Sequence, residues 1–244
     1  MKDRLVAHRG DMTRHMENTL PAIEAAVDLG MRWIEVDIQL SKDLEPMVVH
    51  DDELIRLAGS DEYVTNLNAD AVQTIPLLVA AGKQDKGHIP TLAQVIELLN
   101  QTPDVTLFVE IKKESISIFG LQVVMAAVAA VLQRAKCKIV LISFLYDVVA
   151  SAKKDYQLPI GWVFTHLGQA NGQQMRDLQP TFVFCDVNKV DQIANFEKFN
   201  WQWVLYDSKD PQQAYQFMQA DNVMIETGDI HTCLLYTSPS PRDS

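Results

Sequence analysis

Between Ile38 and Met47 the chain has only eight residues, Gln39 to Pro46. That spacing is the tightest constraint on the fold. Both flanking runs, residues 33–38 and 47–49, are apolar and strand-like, and a parallel crossover needs about a dozen residues or more. The two runs must therefore pair as an antiparallel hairpin. Seven further strand-like runs follow the same pattern, at residues 5–7, 106–111, 139–142, 160–164, 182–185, 203–206 and 223–225. Longer segments with helical periodicity separate most of them. Thr19 is placed to cap a helix carrying Leu20, Ile23 and Val27 on one face. Thr91 and Gln94 have capping-box spacing, and Asp210-Pro211 reads as an N-cap followed by proline at the first helical position.

Near-continuous apolar strands alternating with helices predict a parallel α/β sheet covered on both faces. Setting aside the second hairpin strand leaves eight parallel candidates, the number that closes a TIM (β/α)8 barrel. Residues 1–232 read as this barrel. Residues 51–90 are polar, without a clear strand, and longer than an ordinary connection, so they read as an insertion or lid on the functional face. The segment 233–244, with two prolines and three serines, does not read as an amphipathic helix. It is expected to be a non-native tail, leaving the barrel without its last helix.

Composition narrows the function. The 32 acidic residues exceed the 21 basic ones, for a formal charge of −11, and such a surface repels nucleic acid. The longest apolar run, 123–132, falls well short of the ~20 residues of a spanning helix, so no integral membrane segment is expected. Met1 to His8 contains no apolar stretch of the kind a secretory signal requires, and Cys137, Cys185 and Cys233 form no disulfide framework. A reduced, cytoplasmic protein is the expectation.

In a barrel of this type the polar residues at strand C-termini converge as the chemical site. The first strand run ends in His8-Arg9-Gly10, and the second carries Glu35 and Asp37 on one face by two-residue alternation. The hairpin ends in His50-Asp51, and the next run carries Glu110 and Lys112. Three carboxylates in one low-dielectric mouth cannot all ionise without a cation. Oxygen ligands suit Mg²⁺, Ca²⁺ or Mn²⁺ better than Zn²⁺. His8 and His50 have the chemistry of a general acid and base, while Arg9 and Lys112 could contact a phosphate. Together these groups point to phosphoryl transfer or phosphodiester cleavage. Blander readings exist for each group alone: a satisfied strand-end histidine for His8, a solvated edge for Glu35 and Asp37, an ion pair for Glu110 and Lys112. His15, His88, His166 and His231 read as surface residues, and Trp201 and Trp203 as packing.

The ordered set His8-Arg9-Gly10, Glu17-Asn18-Thr19, Glu35-x-Asp37, His50-Asp51, Glu110-Ile111-Lys112 and Ser143-Phe144 resembles the successive motifs of the glycerophosphodiester phosphodiesterase family. The resemblance runs from about Leu5 to Asp229. It implies a TIM barrel, one divalent cation, and hydrolysis of a small-molecule glycerophosphodiester to sn-glycerol 3-phosphate and an alcohol. It further implies Glu35, Asp37 and Glu110 as metal ligands, His8 and His50 as the acid/base pair, and Arg9 and Lys112 as phosphate contacts. Glu17 and Asn18 are supporting residues. Two strand ends depart from the family pattern: Val204-Leu205-Tyr206-Asp207, where a tryptophan is usual, and Glu226-Thr227-Gly228-Asp229, where Thr-Asp is usual. The rival functions are a phospholipase D-like or lyase relative acting on lysophospholipids or phosphoinositides, and a noncatalytic phosphoester-binding module.

Overall fold

The computed structural model describes residues 2–78, 87–190, 193–208 and 210–237. Nine strands form: β1 Leu5–His8, β2 Trp33–Leu40, β3 Pro46–Val48, β4 Thr106–Ile111, β5 Lys138–Ser143, β6 Ile160–Val163, β7 Phe182–Asp186, β8 Gln202–Tyr206 and β9 Val223–Thr227. Their order is β1-β9-β8-β7-β6-β5-β4-β2-β3, and β1 also pairs with β2. Eight parallel strands thus close into a barrel. The ninth, β3, lies outside it, antiparallel to β2 with Leu40 opposite Pro46, as the short spacing requires.

Two-residue alternation divides the strands between two apolar clusters. Outward side chains, such as Ile34, Val36, Leu107, Val109, Leu205 and Ile225, pack beneath the surrounding helices. Inward side chains, among them Val6, Phe108, Phe182, Phe184, Val204 and Met224, fill the barrel. Phe108 is the hub of this plug, with ring centroids 5.6 Å from Trp33, 5.0 Å from Phe182 and 5.1 Å from Phe184. Gly161 on β6 makes room for it: a Cβ there would lie 2.9 Å from Ile142 and 3.1 Å from Phe184. The plug fills the interior below the mouth.

The helix caps read from the sequence form. Thr19 Oγ1 accepts from the Ala22 N–H at the head of the helix Leu20–Asp28. Thr91 and Gln94 cap each other's backbone at Leu92–Leu99. Asp210 accepts from the Gln212 N–H ahead of Pro211–Phe217. The apolar stretch inside Leu121–Leu132 is a barrel helix with Val124, Met125 and Val128 fully buried. Among the described residues no single helix is long and apolar enough to cross a membrane.

The segment after the hairpin has a small core of its own. Leu54, Leu57, Val64, Val72, Leu77 and Ile89 gather there with Met16 and Met47, and residues 79–86 lie outside the described set. At the other end of the chain, a short helix, Ile230–Thr237, stands where no amphipathic helix is expected. Asp229 caps it by accepting from the Thr232 N–H at 3.0 Å. Ile230 and Cys233, three residues apart, turn one face into the core at 0% and 4% exposure, which satisfies helical spacing over one turn. The remainder of the expected tail, 238–244, lies outside the described residues.

Truncating the plug should be costly. Phe108→Ala is expected to lower unfolding free energy by about 3–5 kcal/mol through lost burial and an unfilled cavity. Urea denaturation followed by circular dichroism measures this, and a loss below about 1 kcal/mol would show that the interior can collapse around the gap.

Candidate active site

The inward rows that are apolar lower in the barrel become polar at its mouth. Phe108 is followed two residues on by Glu110, Trp33 by Glu35 and Asp37, Val6 by His8, and Met224 by Glu226. Glu35, Asp37, Glu110 and Glu226 are all buried, at 1%, 1%, 9% and 4% exposure. Single ligand atoms of Glu35, Asp37 and Glu110 lie within 4.8 Å of one another. The three carboxylates drawn from β2 and β4 in the sequence therefore do converge.

The turn after β1 is built around its backbone. Arg9 and Asn18 take left-handed conformations, with φ of 56° and 57°. The Arg9 N–H donates to the Glu35 carbonyl at 2.9 Å, and the Asn18 N–H to the Arg9 carbonyl at 3.0 Å. Gly10 has φ +83°, and a Cβ on it would sit 2.6 Å from the Ala22 carbonyl. Only glycine fits so close an approach at that angle. This geometry lays the Arg9 side chain between two acids. Its Nη1 donates to Glu17 Oε1 at 2.9 Å, and its Nε makes a 2.8 Å ion-pair contact with Asp37 Oδ2. Asn18 Nδ2 donates to the same Asp37 oxygen at 3.0 Å. Lys112 Nζ donates to Asp37 Oδ1 at 3.2 Å and Glu110 Oε1 at 2.7 Å. The two cations read as phosphate contacts are thus already engaged with carboxylates, which fixes where their charge sits.

Charge is shared unevenly as a result. Burial pushes the Asp37 carboxyl up, but Lys112 and then Arg9 outweigh it and hold Asp37 well below the usual carboxylate range. Burial pushes Glu110 up to about 7 against the pull of Lys112. Burial, followed by the charges of Glu110 and Asp37, pushes Glu226 up to about 8. Burial and the neighbouring acids Asp37, Glu226 and Glu110 drive Glu35 well above its ordinary value. Both Glu35 oxygens are buried with no hydrogen-bond partner among the described residues. Burial, and then Arg9, push the His8 imidazole down to about 3.

His50 is held from outside the barrel. Its Nδ1 lies 2.5 Å from Asp51 Oδ1. Arg56, in the segment after the hairpin, donates to Asp51 Oδ2 and to both oxygens of Glu17, the latter at 2.7 and 2.9 Å. His50 and Lys112 line a cleft of about 460 Å³ together with Arg56. His8 and Glu226 line another of about 420 Å³.

Reading the sequence alone missed Arg56, since nothing in its spacing marks it. It gave Glu226 no role, although alternation along β9 places Glu226 on the face of Met224. It also placed His231 on the surface without a partner, whereas its Nε2 lies 2.8 Å from buried Asp11 Oδ2.

Fold and site together define a (β/α)8 barrel whose mouth combines buried carboxylates with two histidines. The chain belongs to the glycerophosphoryl diester phosphodiesterase family, whose profile matches residues 8–232. A glycerophosphodiester phosphodiesterase of Caldanaerobacter subterraneus subsp. tengcongensis is 34% identical over 113 residues, 46% of each chain. A human lysophospholipase D is 30% identical over 110 residues, 40% of this chain and 33% of its own. The matched stretch thus spans less than half the length of these curated relatives. Among solved structures, an Oleispira antarctica phosphodiesterase in complex with the product sn-glycerol-3-phosphate superposes with a TM-score of 0.81 at 22% identity, covering 99% of this chain and 97% of that one. The family is generally divalent-metal dependent, and the acidic cluster could hold such an ion.

The charge balance has a pH signature. In cation-free protein Glu110 and Glu226 keep protons up to about 7 and about 8, while their ordinary value is 4.5. The folded state then binds more protons than the unfolded chain, so stability falls as pH rises through that window. His8 acts oppositely, but only below its ordinary 6.5. Melting temperature of EDTA-treated protein is therefore expected to fall between about pH 6.5 and about pH 8, and added Mn²⁺ to flatten the fall. A melting temperature that rises across this interval would contradict the assignment.

Proposed function

We propose that the chain hydrolyses glycerophosphodiesters to sn-glycerol 3-phosphate and an alcohol, with a divalent cation and histidine acid/base catalysis. The observation that carries this reading is the convergence of Glu35, Asp37 and Glu110 beside His8, with both Glu35 oxygens buried and without a hydrogen-bond partner among the described residues. Such oxygens fit a hard cation, since a buried carboxylate without a compensating partner is costly. When bound, the ion would act as a Lewis acid on phosphoryl oxygen and favour the negative charge that develops there.

The protein's own groups supply the remaining steps. Arg9 and Lys112 bring positive charge to the phosphate, held in place by Asp37. One histidine takes the proton of the substrate's glycerol 2-hydroxyl as that oxygen bonds to phosphorus. The other donates a proton to the alcohol oxygen as its bond to phosphorus breaks. A cyclic phosphate results, and water opens it to glycerol 3-phosphate with the proton transfers reversed. Asp51, bridging His50 Nδ1 and Arg56, orients one imidazole of the pair. The product held by the Oleispira antarctica phosphodiesterase supports the same product here. The net charge of −11 supports a small-molecule substrate and no nucleic-acid partner.

Incubation with glycerophosphocholine or glycerophosphoethanolamine should release glycerol 3-phosphate with Mg²⁺, Ca²⁺ or Mn²⁺ and none with EDTA. His8→Ala and His50→Ala should each lower kcat by about 10²- to 10⁴-fold. Undiminished turnover in EDTA would overturn the cation requirement. A folded protein that releases no glycerol 3-phosphate with any of the three ions would overturn the enzymatic reading, and turnover confined to lysophosphatidylcholine would transfer the activity to lysophospholipids.

A further inference from the structure

Asp37 and Glu110 each have a cationic partner in the barrel mouth. Asp37 touches Arg9 and Lys112, and Glu110 touches Lys112. Glu35 and Glu226 are placed differently. Among the described residues, the one ion-pair contact found for Glu226 is His8 Nε2 at 3.7 Å, and Glu35 meets the same nitrogen at 3.8 Å. Neither contact is short enough for a hydrogen bond. Ligand atoms of His8, Glu35 and Glu226 all lie within 4.8 Å of one another, a second cluster that shares Glu35 with the first.

Strand register explains why these three meet. β1 runs between β9 and β2, with Val6 opposite Glu226 on one side and His8 opposite Glu35 on the other. Inward rows from three adjacent strands therefore end at one point. Four buried carboxylates face Arg9 and Lys112 there, while the second acid on Arg9, Glu17, also pairs with Arg56. Among the described residues, no lysine or arginine contacts Glu35 or Glu226.

We propose that Glu226, at the C-terminal end of β9, is a ligand of the divalent cation and shares it with Glu35. The site then draws on β9 as well as β2 and β4, and the ion would sit against the two acids that no lysine or arginine among the described residues contacts. This inference rests on the cation-dependent reading above and adds a residue to it.

Titration calorimetry of EDTA-stripped protein with Mn²⁺ tests it without substrate. Wild type should bind Mn²⁺, and Glu226→Gln, which keeps shape and loses charge, should weaken binding about tenfold or more, as Glu35→Gln should. Glu97→Gln, on the outer helix Leu92–Leu99, should bind as wild type does. If Glu226→Gln does not fold, Glu226→Asp keeps the charge at shorter reach and should still weaken binding several-fold. A folded Glu226 variant with affinity within twofold of wild type overturns the proposal while leaving the cation site intact. Wild-type protein that binds neither Mn²⁺ nor Ca²⁺ overturns the cation reading itself, and this inference with it.

Discussion

Four carboxylates lie inside the mouth of a closed barrel, and the rest of the structure is arranged around keeping that burial tolerable. An ionised carboxylate withdrawn from water is costly unless paired or bound to a metal. Here the pairing is partial. Arg9, Asn18 and Lys112 converge on Asp37, which is the best-satisfied acid in the site. Glu35 is left with two oxygens that have no hydrogen-bond partner among the described residues. The asymmetry separates acids that hold the scaffold together from acids open to an ion.

Strain and packing serve the same end. The left-handed Arg9, the close approach at Gly10 and the short bond from Asn18 to the Arg9 carbonyl form a rigid turn. That turn delivers a guanidinium to Asp37 from one side while β4 delivers Lys112 from the other. Below them the Phe108 plug fills the interior with apolar side chains. Outside the barrel, Arg56 ties the segment after the hairpin to both Glu17 and Asp51, so the position of His50 is linked to the network that positions Arg9.

Much of this was legible in the sequence because it rests on periodicity. The hairpin followed from eight intervening residues, the barrel from the count of apolar runs, and the shared face of Glu35 and Asp37 from alternation. Glu110 and Lys112 followed the same rule. Glu226 obeys it too, sharing a face with Met224, but it falls where the stretch departs from the family's usual Thr-Asp. Arg56 was beyond reach: it lies in a segment without periodicity, and only the tertiary path of the chain brings it to Glu17. The Ile230–Thr237 helix was missed because the prolines and serines further on obscured one turn of apolar spacing behind a sound N-cap. The pairing of His231 with Asp11, 220 positions apart, has no local signature.

Anomalous X-ray diffraction from crystals grown with Mn²⁺ tests the central claim most directly, that the unbalanced carboxylates hold one cation. A single strong anomalous peak within about 2.6 Å of a Glu35 oxygen and of at least two further carboxylates at the barrel mouth is the predicted result. A peak only at surface acids, with the Glu35 oxygens still unpartnered, would contradict it.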